Sequence, residues 1–179
     1  TPLRVTLLQG DIPQDMKWLY ELRQPTLDLY TKLTEEHWDS QLIVWPESAL
    51  PDMYHEAKDF IDNLAKKARA HNTDLLIGLL YDDLATGRYY NSMVSLGRSR
   101  QFYHKHHLVP FTEYLPMHSV LGGIVDFMQV PMSDFSKGPA RQPPLAVAGQ
   151  KAGISICYED VFGEEVIRAL PTATFLVNV

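Results

Sequence analysis

The sequence predicts an α/β domain built around a mixed β-sheet. Short apolar, β-rich runs alternate with stretches of helical periodicity, and two of the runs face each other across a turn as a hairpin. A third observation bounds the size: 179 residues, 45% hydrophobic and 21% charged, suit one globular domain with a real core.

The elements follow in order. "LRVTLLQG" is a short β-rich run closed by Gly10. Over 15–38 apolar residues recur at helical spacing (Met16, Leu19, Leu22, then Leu27, Tyr30, Leu33), and Pro25 either divides this stretch into two helices or kinks one. "QLIVWPE" lacks polar alternation, so it reads as a strand buried on both faces and ended by Pro46. "EAKDFIDNLAKKARAHN" is an amphipathic helix with Phe60, Leu64 and Ala68 on one stripe. "TDLLIGLLY" is a third strand. "RYYNSMVSLG" and "RQFYHKHHL" flank Gly97-Arg98-Ser99-Arg100 as a hairpin. The segment 109–144 is rich in Pro, Gly and Met, without steady periodicity, and long for a plain connector. "KAGISICY" is another strand, "DVFGEEVIRAL" a helix with acids in its first turn, and "TATFLVNV" a last strand.

The bulk numbers exclude some functions. A formal charge of -6 argues against nucleic acid, whose phosphates need a basic face. One cysteine makes no internal disulfide and weakens the case for a structural zinc site. The most apolar runs reach about eight residues, against the ~20 of a membrane span. "TPLRVTLLQG" reads as a strand and not as a signal peptide, and the chain stops on an apolar strand. The expectation is a single domain over 1–179, incomplete at its C-terminal end.

Three residues at strand ends carry the chemical reading. Cys157 lies where an apolar strand meets a helix, Glu47 just past a buried strand, and Lys105 at the close of the hairpin. In open α/β sheets reactive groups gather at the carboxyl ends of strands. Each has a plain alternative: a buried structural cysteine, a turn or capping glutamate, a solvated lysine. Together they have a logic. A carboxylate takes the thiol proton, and a cation meets the developing oxyanion. The same cation offsets the field of Glu159 and Asp160, which alone would disfavour a thiolate.

"VWPES", "YHKHHLVPFTEYLP" and "ICYED" together resemble the Glu–Lys–Cys signature of the nitrilase (carbon–nitrogen hydrolase) superfamily. Within it the chain looks most like the bacterial apolipoprotein N-acyltransferase family. "HLVPFTEYLP", Pro131-Met132-Ser133 with Phe135 and Gly138, and "CYE" followed by Phe162-Gly163-Glu164 carry that likeness. The resemblance implies a nitrilase-like αββα sandwich whose C-terminal part is missing here. It implies Glu47 as general base, Lys105 as oxyanion-stabilising cation and Cys157 as nucleophile. Glu113 would brace the lysine, Glu159 would hold the site, and the backbone N–H of Tyr158 would be a second oxyanion donor. The implied reaction is ping-pong acyl transfer from a phospholipid, through a cysteine thioester, to the α-amine of a diacylglyceryl-apolipoprotein. It uses no metal and no organic cofactor. The implied location is the inner membrane of a Gram-negative-type bacterium, with this domain on the periplasmic face and membrane attachment through flanking segments. "SVLGGIVDFMQVPM", with Leu121, Ile124 and Phe127, is expected to form an apolar lid or lipid-facing arm, or else a loop packed on the core. The alternative function is a soluble nitrilase-like amidase hydrolysing a small amide.

Other signals carry less. "HKHH" places His104 and His106 on one strand face but supplies no third ligand, so no metal site is expected there. Trp45, Tyr89, Tyr90 and Phe111 line a pocket or join the core. Asp82-Asp83 reads as a solvated loop tip.

Overall fold

The computed structural model describes residues 2–13, 16–109, 113 and 135–179, folded around two β-sheets. The first sheet has five strands in sequence order: β1 (Val5–Leu7), β2 (Leu42–Val44), β3 (Asp74–Asp83), β4 (Arg88–Leu96) and β5 (Gln101–His104). β1, β2 and β3 run parallel, and β4 and β5 continue antiparallel. The sheet is therefore mixed, as expected. The second sheet pairs β6 (Leu145–Val147), β7 (Gln150–Ser155) and β8 (Phe175–Asn178), with β7 and β8 parallel.

The apolar runs lack alternation because the first sheet is covered on both sides. Ile43, Trp45, Leu75, Ile77, Leu79, Val94 and Leu96 pack under the helices α1 (Tyr20–Glu35) and α2 (Lys58–Ala70). Their neighbours Leu42, Val44, Leu76 and Met93 point the other way and meet Leu145, Val147, Ala152 and Ile156 of the second sheet. Period-two geometry thus sends one half of each run to each layer. On the outer face of the second sheet, a Cβ added at Gly153 would lie 2.9 Å from the Cβ of Ala169, in the short helical segment after Cys157. The order of layers is helix, sheet, sheet and short helical turns.

α2 buries Ile61, Leu64, Ala65 and Ala68 and places Lys67 and Arg69 in its last turn, where cations suit the helix dipole. α1 is one helix that carries Pro25 inside it, at the cost of one backbone hydrogen bond. Trp45 belongs to the core, fully buried and donating to Thr34 Oγ1 at 3.0 Å.

Three expectations are corrected. β6 lies just after the stretch read as irregular, where no strand was expected, joined to β7 by a two-residue turn at Ala148 and Gly149, both at positive φ (51° and 73°). Such turns match the right-handed twist of the paired strands. "DVFGEEVIRAL" is not one helix: 3₁₀ turns Cys157–Val161 and Ile167–Ala169 flank the single α-turn Gly163–Val166. Asp82 is not solvated, but buried and bound to the His55 ring and its backbone N–H. Asp83 alone behaves as a loop-tip residue, accepting from Ala85 N and Thr86 Oγ1. Among the described residues no helix is long and apolar enough to cross a membrane.

Candidate active site

Glu47 follows β2 on a segment that crosses directly over Gly78 of β3. A Cβ added at Gly78 would lie 2.2 Å from Pro46 O, 2.7 Å from Ser48 N and 2.8 Å from the Cα of Glu47. These are backbone atoms, which no rotamer change relieves. Ser48 adopts a left-handed conformation at φ 47°, turning the chain immediately after the carboxylate. Gly78→Ala is expected to cost about 1–3 kcal/mol through overpacking and to displace Glu47. Urea denaturation measures the first effect, and the rate of Cys157 alkylation the second. Wild-type values for both would show that Gly78 does not position Glu47.

Lys105 follows β5 and stays paired, its N–H donating to Asn91 O at 2.8 Å while its carbonyl accepts from Gly138 N at 2.9 Å. Its side chain is 1% exposed, against the ordinary behaviour of a lysine at a strand end. Nζ lies 3.2 Å from Glu47 Oε1 and 2.9 Å from Glu113 Oε1. Burial alone would lower the lysine's pKa, but its hydrogen bond to Glu113 and the charges of Glu47 and Glu113 outweigh it. The net shift is upward, so the ammonium is kept. Glu113 Oε2 in turn accepts Val109 N at 2.8 Å.

Two residues that sequence reasoning passed over complete this cluster. Asn91 Nδ2 donates to Glu47 Oε1 at 2.7 Å and to Glu113 Oε1 at 2.9 Å, so one amide spans both carboxylates. Its signal was available: asparagine is disfavoured in strands, yet it interrupts the apolar strand "YYNSMVS". Lys17 Nζ donates to the backbone carbonyl of Glu47 at 2.8 Å. No pattern in the sequence connects positions 30 residues apart.

Cys157 follows β7 by two residues, at the point where β7 and β8 end side by side. Its N–H donates to Val179 O at 2.5 Å, and its own φ is 52°. A cysteine in the left-handed region costs of order 1–3 kcal/mol, and such strain concentrates at functional sites. The residue is exposed and its thiol is free. Tyr158 beside it is also exposed, its ring edge-on to Phe162 at 5.4 Å between centroids.

Glu159 links this corner to the lysine. The carboxylate, 4% exposed, accepts from four donors. Oε1 takes His106 N at 2.6 Å and His107 N at 3.1 Å; Oε2 takes Tyr103 Oη at 2.9 Å and Ile156 N at 2.9 Å. One side chain thus binds the peptide after Lys105 and the peptide before Cys157. Burial and the adjacent Glu159 charge push the Tyr103 phenol far above its usual pKa, so it stays a donor.

The structure brings Glu47, Lys105 and Glu113 into direct contact, and Glu159 fastens the Cys157 turn to the same loop. Among the described residues no hydrogen bond joins Cys157 Sγ to Glu47 or Lys105; its tie to them runs through Glu159. Leu121, Ile124 and Phe127, like Phe111 and Pro131-Met132-Ser133, lie outside the described residues. His104 turns away from the "HKHH" pairing: its Nδ1 meets Ser92 Oγ at 2.7 Å, and its ring packs on Tyr81 and Tyr90.

Two carboxylates hold a buried cation, and Glu159 links its loop to the Cys157 turn. The family model for carbon-nitrogen hydrolase matches residues 4–179. The chain belongs to the carbon-nitrogen hydrolase family. Among curated proteins it is 47% identical over 179 residues to the apolipoprotein N-acyltransferase of Methylococcus capsulatus, covering 99% of this chain and 36% of that protein. It is 49% identical over 180 residues to the apolipoprotein N-acyltransferase of Nitrosomonas europaea, with the same coverage. The chain therefore spans about a third of the length of these relatives. Among solved structures, a carbon-nitrogen hydrolase from Helicobacter pylori G27 superposes at a TM-score of 0.66, with 19% identity over 98% of this chain and 59% of that one. An amidase from Nesterenkonia sp. superposes at 0.62, with 20% identity over 98% of this chain and 64% of that one. These two likenesses establish the carbon-nitrogen hydrolase fold, with the expected α/β class and mixed sheet.

Proposed function

We propose that this chain is catalytic-domain sequence of an apolipoprotein N-acyltransferase, with Glu47, Lys105 and Cys157 as its catalytic residues. The observation that carries the reading is the 47% and 49% identity over 99% of the chain to two curated proteins of that name. The Glu47–Lys105–Glu113 contact supports the assignment of roles.

The reaction takes two steps. Cys157 Sγ attacks the ester carbonyl carbon of a phospholipid acyl chain, and its proton passes to Glu47. The carbonyl oxygen becomes an oxyanion facing Lys105 Nζ and the backbone N–H of Tyr158. Collapse breaks the C–O bond, and the lysophospholipid alkoxide leaves with the proton held by Glu47, forming a Cys157 thioester. The α-amine of a diacylglyceryl-cysteine at the N-terminus of an apolipoprotein then attacks the thioester carbon and gives a proton to Glu47. Collapse expels the thiolate and leaves an amide. Lys105, held charged by two carboxylates, serves both tetrahedral states unchanged. In this reading the parent protein sits in the inner membrane, with this domain on its periplasmic face.

The intact parent protein is the material for the test. Incubated with phospholipid, it is expected to carry an acyl group on Cys157 that hydroxylamine removes. With a diacylglyceryl-lipopeptide added, N-acylated product should appear, and Cys157→Ser should lose both. Ammonia release from small amides, without any lipid adduct on Cys157, would replace this reading with an amidase.

A further inference from the structure

The "HKHH" stretch leaves two imidazoles outside the cluster just described, and the fold gives them a partner that the sequence did not suggest. His106, His107 and Glu165 offer ligand atoms that all lie within 4.8 Å of one another. They stand on the wall of a groove of about 610 Å³ that runs between the loop after β5 and the helical segment after Cys157. This face is separate from the Glu47–Lys105–Glu113 contact, since none of those three residues lines the groove.

We propose that His106, His107 and Glu165 form a binding site for a borderline-soft divalent transition metal of the zinc type. The donor set is two imidazoles and one carboxylate, a combination suited to that ion. The outer contacts are already in place. His106 Nδ1 lies 2.7 Å from Gly138 O; a carbonyl only accepts, so Nδ1 carries the proton and Nε2 presents a lone pair. Histidine ligands commonly donate their second nitrogen to a backbone carbonyl in this way. Gly138 is itself fixed, donating its N–H to Lys105 O at 2.9 Å. His107 Nε2 and Glu165 Oε2 stand 2.5 Å apart, sharing a proton that a metal ion would replace. Stacking on Phe162, 3.9 Å between ring centroids, fixes the His107 ring plane. Arg168 Nη1 lies 3.9 Å from Glu165 Oε1, and its side chain is 55% exposed. The groove leaves room for water in the remaining coordination positions. A bound ion would clip the Lys105 loop to the segment that follows Cys157, parallel to the clasp made by Glu159.

The test uses zinc alone as the probe, on the chain in a Cys157→Ser background so that the thiol does not compete. Titration against a chromogenic chelator is expected to give one zinc per chain. Affinity should fall by about tenfold or more in His107→Ala and in Glu165→Gln, and stay unchanged in His37→Gln. Zinc should raise the thermal midpoint of the background chain and not that of the two variants. Diethylpyrocarbonate mapping on the unsubstituted chain reads the same site without relying on a variant's folding. Zinc should protect His106 and His107 and leave His37 and His71 reactive. Equal zinc affinity in all variants, or equal protection of all four histidines, would overturn the proposal.

Discussion

Lys105→Met is expected to destabilise the chain by about 3–5 kcal/mol and to bring Cys157 alkylation down to the rate of a free thiol. Two causes combine. The ammonium is 1% exposed and lies between Glu47 Oε1 and Glu113 Oε1. Removing it leaves two carboxylates facing each other with, among the described residues, Asn91 Nδ2 as the one donor they share. A partly buried charge that loses its partner costs far more than a surface pair is worth. Glu113→Gln in the same chain separates stability from chemistry. With one carboxylate neutralised, Lys105→Met/Glu113→Gln should regain much of the lost stability, while alkylation stays slow because the cation is still missing. If alkylation recovers with stability, Lys105 is a structural residue only.

The pH dependence has a definite sign. The folded pKa of Lys105 lies above its ordinary value, so its contribution is fully present below about pH 10.4, the unfolded value, and disappears as pH climbs through the folded one. The gap in unfolding free energy between wild type and Lys105→Met should therefore stay flat through neutral pH and narrow only in strong alkali. Urea titrations at several pH values measure it. A gap that closes in acid would point to Glu47 and Glu113 as the controlling groups.

The parts of the fold that sequence patterns revealed are those in which one local signal decides. β2 and β3 have continuous apolar runs because both faces are covered, and α2 shows its stripe because only one face is. Glu47, Lys105 and Cys157 stood out because each stands at the end of a strand-like run. What remained hidden depends on distant partners. Asp82 is buried because His55 meets it from 27 residues away, and Lys17 matters because it reaches the backbone of Glu47. β6 is three residues long and follows Pro143-Pro144, with Ala-Gly at its turn where Asn-Gly would have been the stronger hairpin sign. The helix read after Cys157 breaks into short turns for a related reason. Val161, Ile167 and Leu170 are exposed, and an unpacked helix of that length is marginal.

Glu159→Ala is expected to be the most damaging single change at the site. The carboxylate accepts from His106 N, His107 N, Ile156 N and Tyr103 Oη. Alanine strands three backbone donors and a phenol together, at about 1–3 kcal/mol for each group left buried and unpaired. The four together come to about 4–12 kcal/mol, and to about 2–6 kcal/mol if water reaches half of them, a range that extends into the exceptional substitutions. Glu159→Gln keeps one carbonyl oxygen but turns an NH₂ toward N–H donors, so an intermediate loss is expected. Tyr103→Phe removes one donor of four and should cost about 1 kcal/mol. This graded order distinguishes a hub from an ordinary buried acid. Denaturation midpoints measure the order, and Cys157 alkylation should fall in the same sequence, because Glu159 fixes the peptide before Cys157 relative to the peptide after Lys105. A Glu159→Ala chain with a near-wild-type midpoint would mean that the two loops hold each other without this carboxylate, and the path joining the cysteine to the lysine would have to be sought elsewhere.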